Sequence, residues 1–351
     1  MRAGLLPAFL AVAMSFAAAA AEPPKLVTEE FMVPAKDPGI QLYVRNKRPE
    51  GVDRFGPERT LLFVHGATYP AETAFDLQLD GLSWMDFIAR RGFDVYLVDV
   101  RGYGRSTRPK EMDQPPAANE PIVTTEVARR DVGAAVDFIL NRRGIAKLDL
   151  LGWSWGTAIM GSYAAENPDK VRRLVLYASV WIRTTPSLVQ AQGDKLGAYR
   201  TVKREDARTR WLNGVPEDKK QSLIPAGWFE AWADATFASD PVGAAQNPPV
   251  LRAPNGTVLD TQRYWSVGKA LYDPSRITAP TLIIQAEWDR DTPPYMAQAL
   301  FPLLTNAPWK RYVMIGEGTH TVIMEKNRQQ LFDEVQLFLQ EQLPHQPEPR
   351  S

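Results

Sequence analysis

Three residue types that can share one covalent reaction occur in this chain in the order Ser154, Asp289, His320. A serine hydroxyl is a poor nucleophile at neutral pH, so a base must take its proton during attack, and histidine is the usual base. Three histidines are available: His65, His320 and His345. His345 lies in a Pro-rich tail, whereas His320 follows the last strand-like run, Arg311 to Ile315, in Gly316-Glu317-Gly318-Thr319-His320. His320 is therefore the expected base. A base of this kind needs a carboxylate to fix its tautomer and to stabilise the imidazolium. Asp289, four residues past Gln285 at the end of the preceding strand-like run, is the expected partner. Asp291 competes for the role, but its place beside Pro293 suits a cap on the following helix.

The nucleophile is set by its surroundings. Leu148-Asp149-Leu150-Leu151 has a strand-like pattern, Gly152-Trp153-Ser154-Trp155-Gly156 follows, and an Ala-rich helical segment runs from Ala158 to Glu166. A serine on a tight strand-to-helix turn is held in a strained conformation, and the small residues at the two glycine positions, Gly152 and Gly156, let the turn close. The helix start aims the backbone N–H of Trp155 at charge developing beside the serine. A second donor is expected from the N–H of Ala67, in the loop His65-Gly66-Ala67-Thr68 after another strand. His65 is expected to order that loop, and Asp99 and Arg101 to hold the next loop by internal charge-assisted bonds. Trp153 and Trp155 bracket the nucleophile, and at least one should wall a pocket.

These loops require strands that end at one edge. Leu26 to Val33 and Ile40 to Val44 read as an edge hairpin. Thr60 to Val64, Phe93 to Val98, Leu148 to Leu151, Val171 to Ala178, Pro280 to Gln285 and Arg311 to Ile315 are short apolar runs of the kind buried on both faces. Helical patterns at Leu79 to Arg91, Thr125 to Asn141, Ala158 to Glu166, Pro294 to Leu304 and around Leu331 to Leu339 alternate with them. The rhythm predicts an α/β fold with a doubly wound, mostly parallel sheet. It stops between residues 181 and 276, which hold five of the ten tryptophans. That stretch is expected to be an inserted, mostly helical cap over the site. The core then comprises residues 22–180 and 277–343, with a tail at 344–351.

The first 21 residues combine Arg2, an apolar stretch from Gly4 to Phe16 and an Ala-rich exit, the pattern of a secretory signal cleaved before Glu22. Export, to the periplasm or the medium, follows as an expectation. Basic and acidic residues balance at 41 each, so bulk charge points to neither nucleic acid nor an anionic membrane. No later run has the length of a membrane helix. The absence of cysteine excludes disulfides, thiol catalysis and cysteine-ligated zinc. Neither a metal nor a cofactor is expected, and the partner is a small acyl substrate.

The order Ser154, Asp289, His320, the Gly-Trp-Ser-Trp-Gly turn, the His-Gly loop, Asp99-Val100-Arg101-Gly102-Tyr103-Gly104-Arg105-Ser106 and the acid loop Glu287 to Pro293 together resemble the α/β-hydrolase superfamily. The likeness covers residues 26 to 180 and 277 to 340. Ala286 stands where the family usually has glycine. Within the superfamily an aspartate nucleophile marks epoxide hydrolases and haloalkane dehalogenases, so Ser154 argues against both. The resemblance implies an exported serine hydrolase acting through an acyl-enzyme, with carboxylic esters first among its substrates. Ser-Trp-Gly with the Gly-rich loop is also similar to proline iminopeptidases, which hold a free amino terminus with cap acids, a role open to Glu230 or Asp234. Carbon–carbon bond cleavage and a non-catalytic small-molecule binding protein on the same fold are the remaining alternatives.

Overall fold

The computed structural model describes residues 22–190 and 195–343; the expected signal segment and tail lie outside the described residues. Eight strands form one sheet: β1 (Leu26–Pro34), β2 (Gln41–Pro49), β3 (Thr60–Val64), β4 (Asp94–Val98), β5 (Leu148–Trp153), β6 (Val171–Tyr177), β9 (Thr281–Ala286) and β10 (Lys310–Ile315). Their spatial order is β1-β2-β4-β3-β5-β6-β9-β10. The pairs β1–β2 and β2–β4 are antiparallel and all others parallel. The central strands β3, β4, β5 and β9 are buried at every position. This is why they read as unbroken apolar runs: helices cover both faces.

Alternate residues of β3 feed two cores. Leu62 and Val64 join one built with Val132 and Val136 of α3 (Thr125–Arg143) and Ile159 of α4 (Trp155–Glu166). Leu61 and Phe63 join another built with Phe75 of α1 (Ala71–Phe75), Trp84 of α2 (Trp84–Ala89) and Phe332 of α11 (Arg328–Gln340). Trp84 and Phe332 stack with ring centroids 5.0 Å apart, so a helix from each end of the chain closes the same face. Among the described residues no helix is long and apolar enough to cross a membrane.

One expectation needs correction and another gains a detail. The helical pattern from Leu79 to Arg91 yields only α2, because the Ser83 hydroxyl accepts the Asp86 N–H at 3.0 Å and starts the helix there, while Leu79 and Leu82 pair in a short bridge. Residues 181–276 are not only helical. Besides α5 (Arg204–Trp211), α6 (Lys220–Leu223), α7 (Trp228–Ala238), α8 (Pro241–Ala244) and α9 (Gly256–Arg263), they contain β7 (Tyr199–Lys203) and β8 (Val250–Pro254). These strands pair antiparallel, apart from the main sheet. The last helix before β10 is α10 (Pro294–Leu300).

Candidate active site

β5 ends at Trp153 and α4 begins at Trp155, leaving Ser154 alone on the turn with φ +56° and ψ −123°. Positive φ costs a non-glycine residue of order 1–3 kcal/mol, so the surroundings must enforce it. They do so sterically. A Cβ on Gly152 would overlap the Gly156 carbonyl, and one on Gly156 would lie 2.6 Å from the Val64 carbonyl oxygen and 2.8 Å from that of His65. The Ser154 N–H donates to Tyr177 O on β6 at 2.9 Å, and the Ser154 carbonyl accepts the N–H of Thr157. Both anchor the turn to sheet and helix.

His320 and Asp289 come from loops after the adjacent strands β10 and β9. The His320 Nδ1 lies 2.8 Å from Asp289 Oδ2. Asp289 is fully buried and is held by the Thr292 N–H at 2.8 Å, the Thr292 hydroxyl at 2.8 Å and the Gln285 side-chain amide at 2.9 Å. With Nδ1 donating to the carboxylate, Nε2 is the nitrogen left for a second partner. Burial works against the imidazolium, but the neighbouring carboxylates of Asp289 and Asp291 prevail and raise the His320 pKa above its ordinary 6.5. The His320 carbonyl is fixed from below by the Trp153 indole N–H at 3.0 Å and the Tyr177 hydroxyl at 2.8 Å.

The loop after β3 carries the second candidate N–H. His65 is fully buried, its Nδ1 donates to Gly66 O at 2.7 Å, and its Nε2 accepts the Val100 N–H at 3.1 Å. This neutral tautomer satisfies both contacts, and burial pushes the His65 pKa down to about 4. Gly66 C=O and Ala67 N–H belong to one trans peptide and point in opposite directions. By holding the carbonyl, His65 therefore sets the direction of the Ala67 N–H. The Ala67 carbonyl is held in turn by the Tyr103 hydroxyl at 2.8 Å and Arg200 Nη2 at 2.7 Å. Gly66 also lets this loop close on Ser154, since a Cβ there would sit 3.0 Å from Ser154 Cβ.

Ser154, His320, Ala67, Trp153, Trp211, Arg210 and Asp291 line one cavity. Of the two tryptophans beside the nucleophile, Trp153 forms its wall. The Trp155 side chain turns away and donates to the Thr125 hydroxyl at 2.8 Å. Among the five tryptophans of residues 181–276, Trp211 alone lines the cavity; Trp232 packs edge-on against it at 5.2 Å, and Trp181 packs on Tyr272.

Three side-chain expectations change. Asp291 caps no helix: Arg210 of α5 donates to it from Nε at 2.7 Å and Nη2 at 2.5 Å. Burial raises the Asp291 pKa, but Arg210 outweighs it and brings the carboxyl below its ordinary value. Arg101 does not act within its own loop; it pairs with Asp131 on α3 and Asp37 in the β1–β2 turn, while Asp99 accepts the N–H groups of Ala71 and Arg105. Glu230 and Asp234 are exposed and paired with Arg208 and Arg204 on the helical surface, away from the cavity. Asp289, Asp291 and His320 offer ligand atoms within 4.8 Å of one another. Donors from His320, Thr292, Gln285 and Arg210 already face those carboxylates, so the protein itself uses the lone pairs a cation would need.

Trp211 was among the aromatic residues expected over the site, whereas Arg210 and Glu325 were not anticipated. Glu325 is fully buried and accepts the Trp211 indole N–H at 2.9 Å and the Thr319 N–H at 3.0 Å, beside His320. An acid directly after the apolar run Val322 to Met324 was the available signal for Glu325.

Residues 59–327 match the family model described as alpha/beta hydrolase fold. The chain is 30% identical over 148 residues to the poly(3-hydroxyalkanoate) polymerase subunit PhaC of Allochromatium vinosum, a match covering 42% of this chain and 38% of that protein. It is 24% identical over 238 residues to a proline iminopeptidase of Neisseria meningitidis serogroup B, covering 59% and 69%. The chain thus spans well under two thirds of the first of these relatives. A thermophilic esterase from Thermogutta terrifontis matches in structure with a TM-score of 0.54 at 16% identity, over 89% of this chain and 98% of that one. At that identity the likeness concerns the fold.

Proposed function

Because the chain belongs to the α/β-hydrolase fold family, we propose that it is a serine hydrolase that cleaves a carboxylic ester. The observation that carries the reading is the buried His320 Nδ1–Asp289 contact of 2.8 Å with Ser154 in the same cavity wall as His320. Ser154 Oγ attacks the acyl carbon while His320 Nε2 takes its proton, and Asp289 stabilises the imidazolium. The N–H groups of Trp155 and Ala67 hold the oxyanion. The leaving alcohol departs with the proton from His320, and water, activated by the same nitrogen, releases the acid from the acyl-enzyme. Residues 1–21 support export of the enzyme.

Ester cleavage is favoured over the iminopeptidase alternative because recognition of a free amino terminus needs an unpaired carboxylate at the site. Glu230 and Asp234 lie outside the cavity, and Asp291, the carboxylate that lines it, is engaged by Arg210. The test is turnover of p-nitrophenyl esters and labelling by a serine-directed phosphonate. Ser154→Ala is expected to lose labelling and about 10⁴-fold or more in kcat while keeping its fold. Retained turnover in that variant refutes the reading, and an unlabelled wild type that still binds small apolar molecules points to a non-catalytic role.

A further inference from the structure

The cavity at Ser154 encloses only about 20 Å³, the space of a single water. Beside it lies a cleft of about 800 Å³ in the segment between β6 and β9, lined in part by Arg200, Thr201, Asn213 and Val215. Ala207 and Arg210 line both spaces. Arg210, whose side chain is four-fifths buried, thus stands where the two spaces meet.

Arginines gather around that junction. Arg183, Arg200 and Arg210 supply three cations. Arg183 donates to the carbonyls of Thr185, Pro186 and Asp291, and Arg200 to those of Ala67 and Pro254 and to the Thr68 hydroxyl. Neither has a carboxylate partner among the described residues. Asp291 and Asp289 supply two anions, and neutral His320 none. The cleft rim adds Asp206 and Lys220, one of each sign. Arg183 and Arg200 therefore meet carbonyl and hydroxyl oxygens rather than carboxylates. Arg210 also has a donor to spare. Nε and Nη2 hold Asp291, while Nη1 makes only a 3.3 Å contact to Thr68 Oγ1, an oxygen Arg200 already occupies at 3.0 Å. Thr68 follows Ala67, so this donor edge lies next to the loop expected to hold the oxyanion.

Building on the serine-hydrolase reading, we propose that the substrate carries a carboxylate, bound by Arg210 at the junction of cavity and cleft. The ester cleaved is then a half-ester of a dicarboxylic acid or an ester of similar charge, rather than a neutral lipid. Arg210 keeps Asp291 through one edge and takes the substrate carboxylate through the other, a fork that a guanidinium provides and an ammonium does not.

Calorimetric titration of Ser154→Ala with monomethyl glutarate and with its neutral counterpart dimethyl glutarate tests this without turnover. The half-ester is expected to bind about tenfold tighter or more, and the preference to vanish when Arg210→Gln is added. Arg210→Lys, which keeps the charge and guards against a folding failure, is expected to retain a reduced preference. Equal affinity for the two esters, no binding of either at millimolar concentration, or a preference that survives Arg210→Gln overturns the proposal. Phosphonate labelling of the wild type separates the two readings, because a labelled enzyme indifferent to substrate charge sinks the carboxylate site alone.

Discussion

The Trp211 indole N–H donates to the buried carboxylate of Glu325 at 2.9 Å, and the same carboxylate accepts the N–H and hydroxyl of Thr319, the residue before His320. A helix of the inserted segment thus reports to the histidine loop through one acid. Burial pushes the Glu325 pKa up to about 7. The folded protein then holds this proton from the unfolded value near 4.5 up to about 7, so the contribution to stability is greatest in acid and declines as pH rises through that window. Glu325→Gln removes the titration. The melting temperature of the wild type relative to this variant is expected to fall between pH 5 and pH 8 in thermal unfolding followed by circular dichroism, and a constant difference contradicts the assignment.

Under the proposed mechanism, the acidic limb of the rate profile is expected to belong to His320. Its proton must be absent for base catalysis, and Asp289 and Asp291 raise its pKa above 6.5. Activity is lost as pH falls through that raised value. Asp291→Asn removes one of the two favourable charges and frees Arg210, whose charge disfavours the imidazolium. The limb in kcat/KM for a p-nitrophenyl ester is therefore expected to move to lower pH, and a limb that stays or moves up is incompatible with this account.

His65 acts on rate through geometry. His65→Ala frees the Gly66 carbonyl and with it the Ala67 N–H, and kcat is expected to fall by about 10²-fold, the scale of losing one oxyanion donor. Stability changes in the same region have a distinct pH signature. With its folded pKa near 4 against 6.5 unfolded, His65 stays neutral in the native state, and the stability this represents is present above 6.5 and lost as pH falls toward 4. A resonance assigned to the His65 imidazole that titrates near 6.5 in the folded protein by NMR contradicts the buried tautomer.

The glycines at the serine turn separate folding from chemistry. Gly156→Ala presses a methyl group against two β3-edge carbonyls at 2.6 and 2.8 Å and is expected to cost about 3 kcal/mol in urea unfolding. Gly66→Ala meets Ser154 Cβ at 3.0 Å, so its loss is expected mainly in kcat, with a smaller shift in the unfolding midpoint. The reverse ranking contradicts the assigned contacts.

Much of the catalytic edge was legible because its positions are fixed locally. Buried parallel strands read as apolar runs, and Ser154, Asp289 and His320 follow β5, β9 and β10 at short intervals whatever else the chain does. The ribbon β7–β8 was not legible, since each strand is short and carries a buried arginine. Arg200 and Arg252 are tolerated there because distant groups satisfy them, Ala67 O and Thr68 in one case and Asp240 in the other. The partner of Asp291 was hidden for the same reason. Pairing with Arg210 spans 81 residues, and proximity to Pro293 suggested a helix cap instead.

The inserted segment leaves the sheet after β6 and returns at β9, and these two strands are neighbours, with Leu174 opposite Thr281 and Tyr177 opposite Ile284. A hundred residues thus enter and exit through one seam without separating any strand from its partner. Such a seam is a natural grafting point. Exchange of this segment between relatives can alter which molecules are admitted while the serine, histidine and aspartate keep their register, so new specificities are open to recombination without redesign of the sheet.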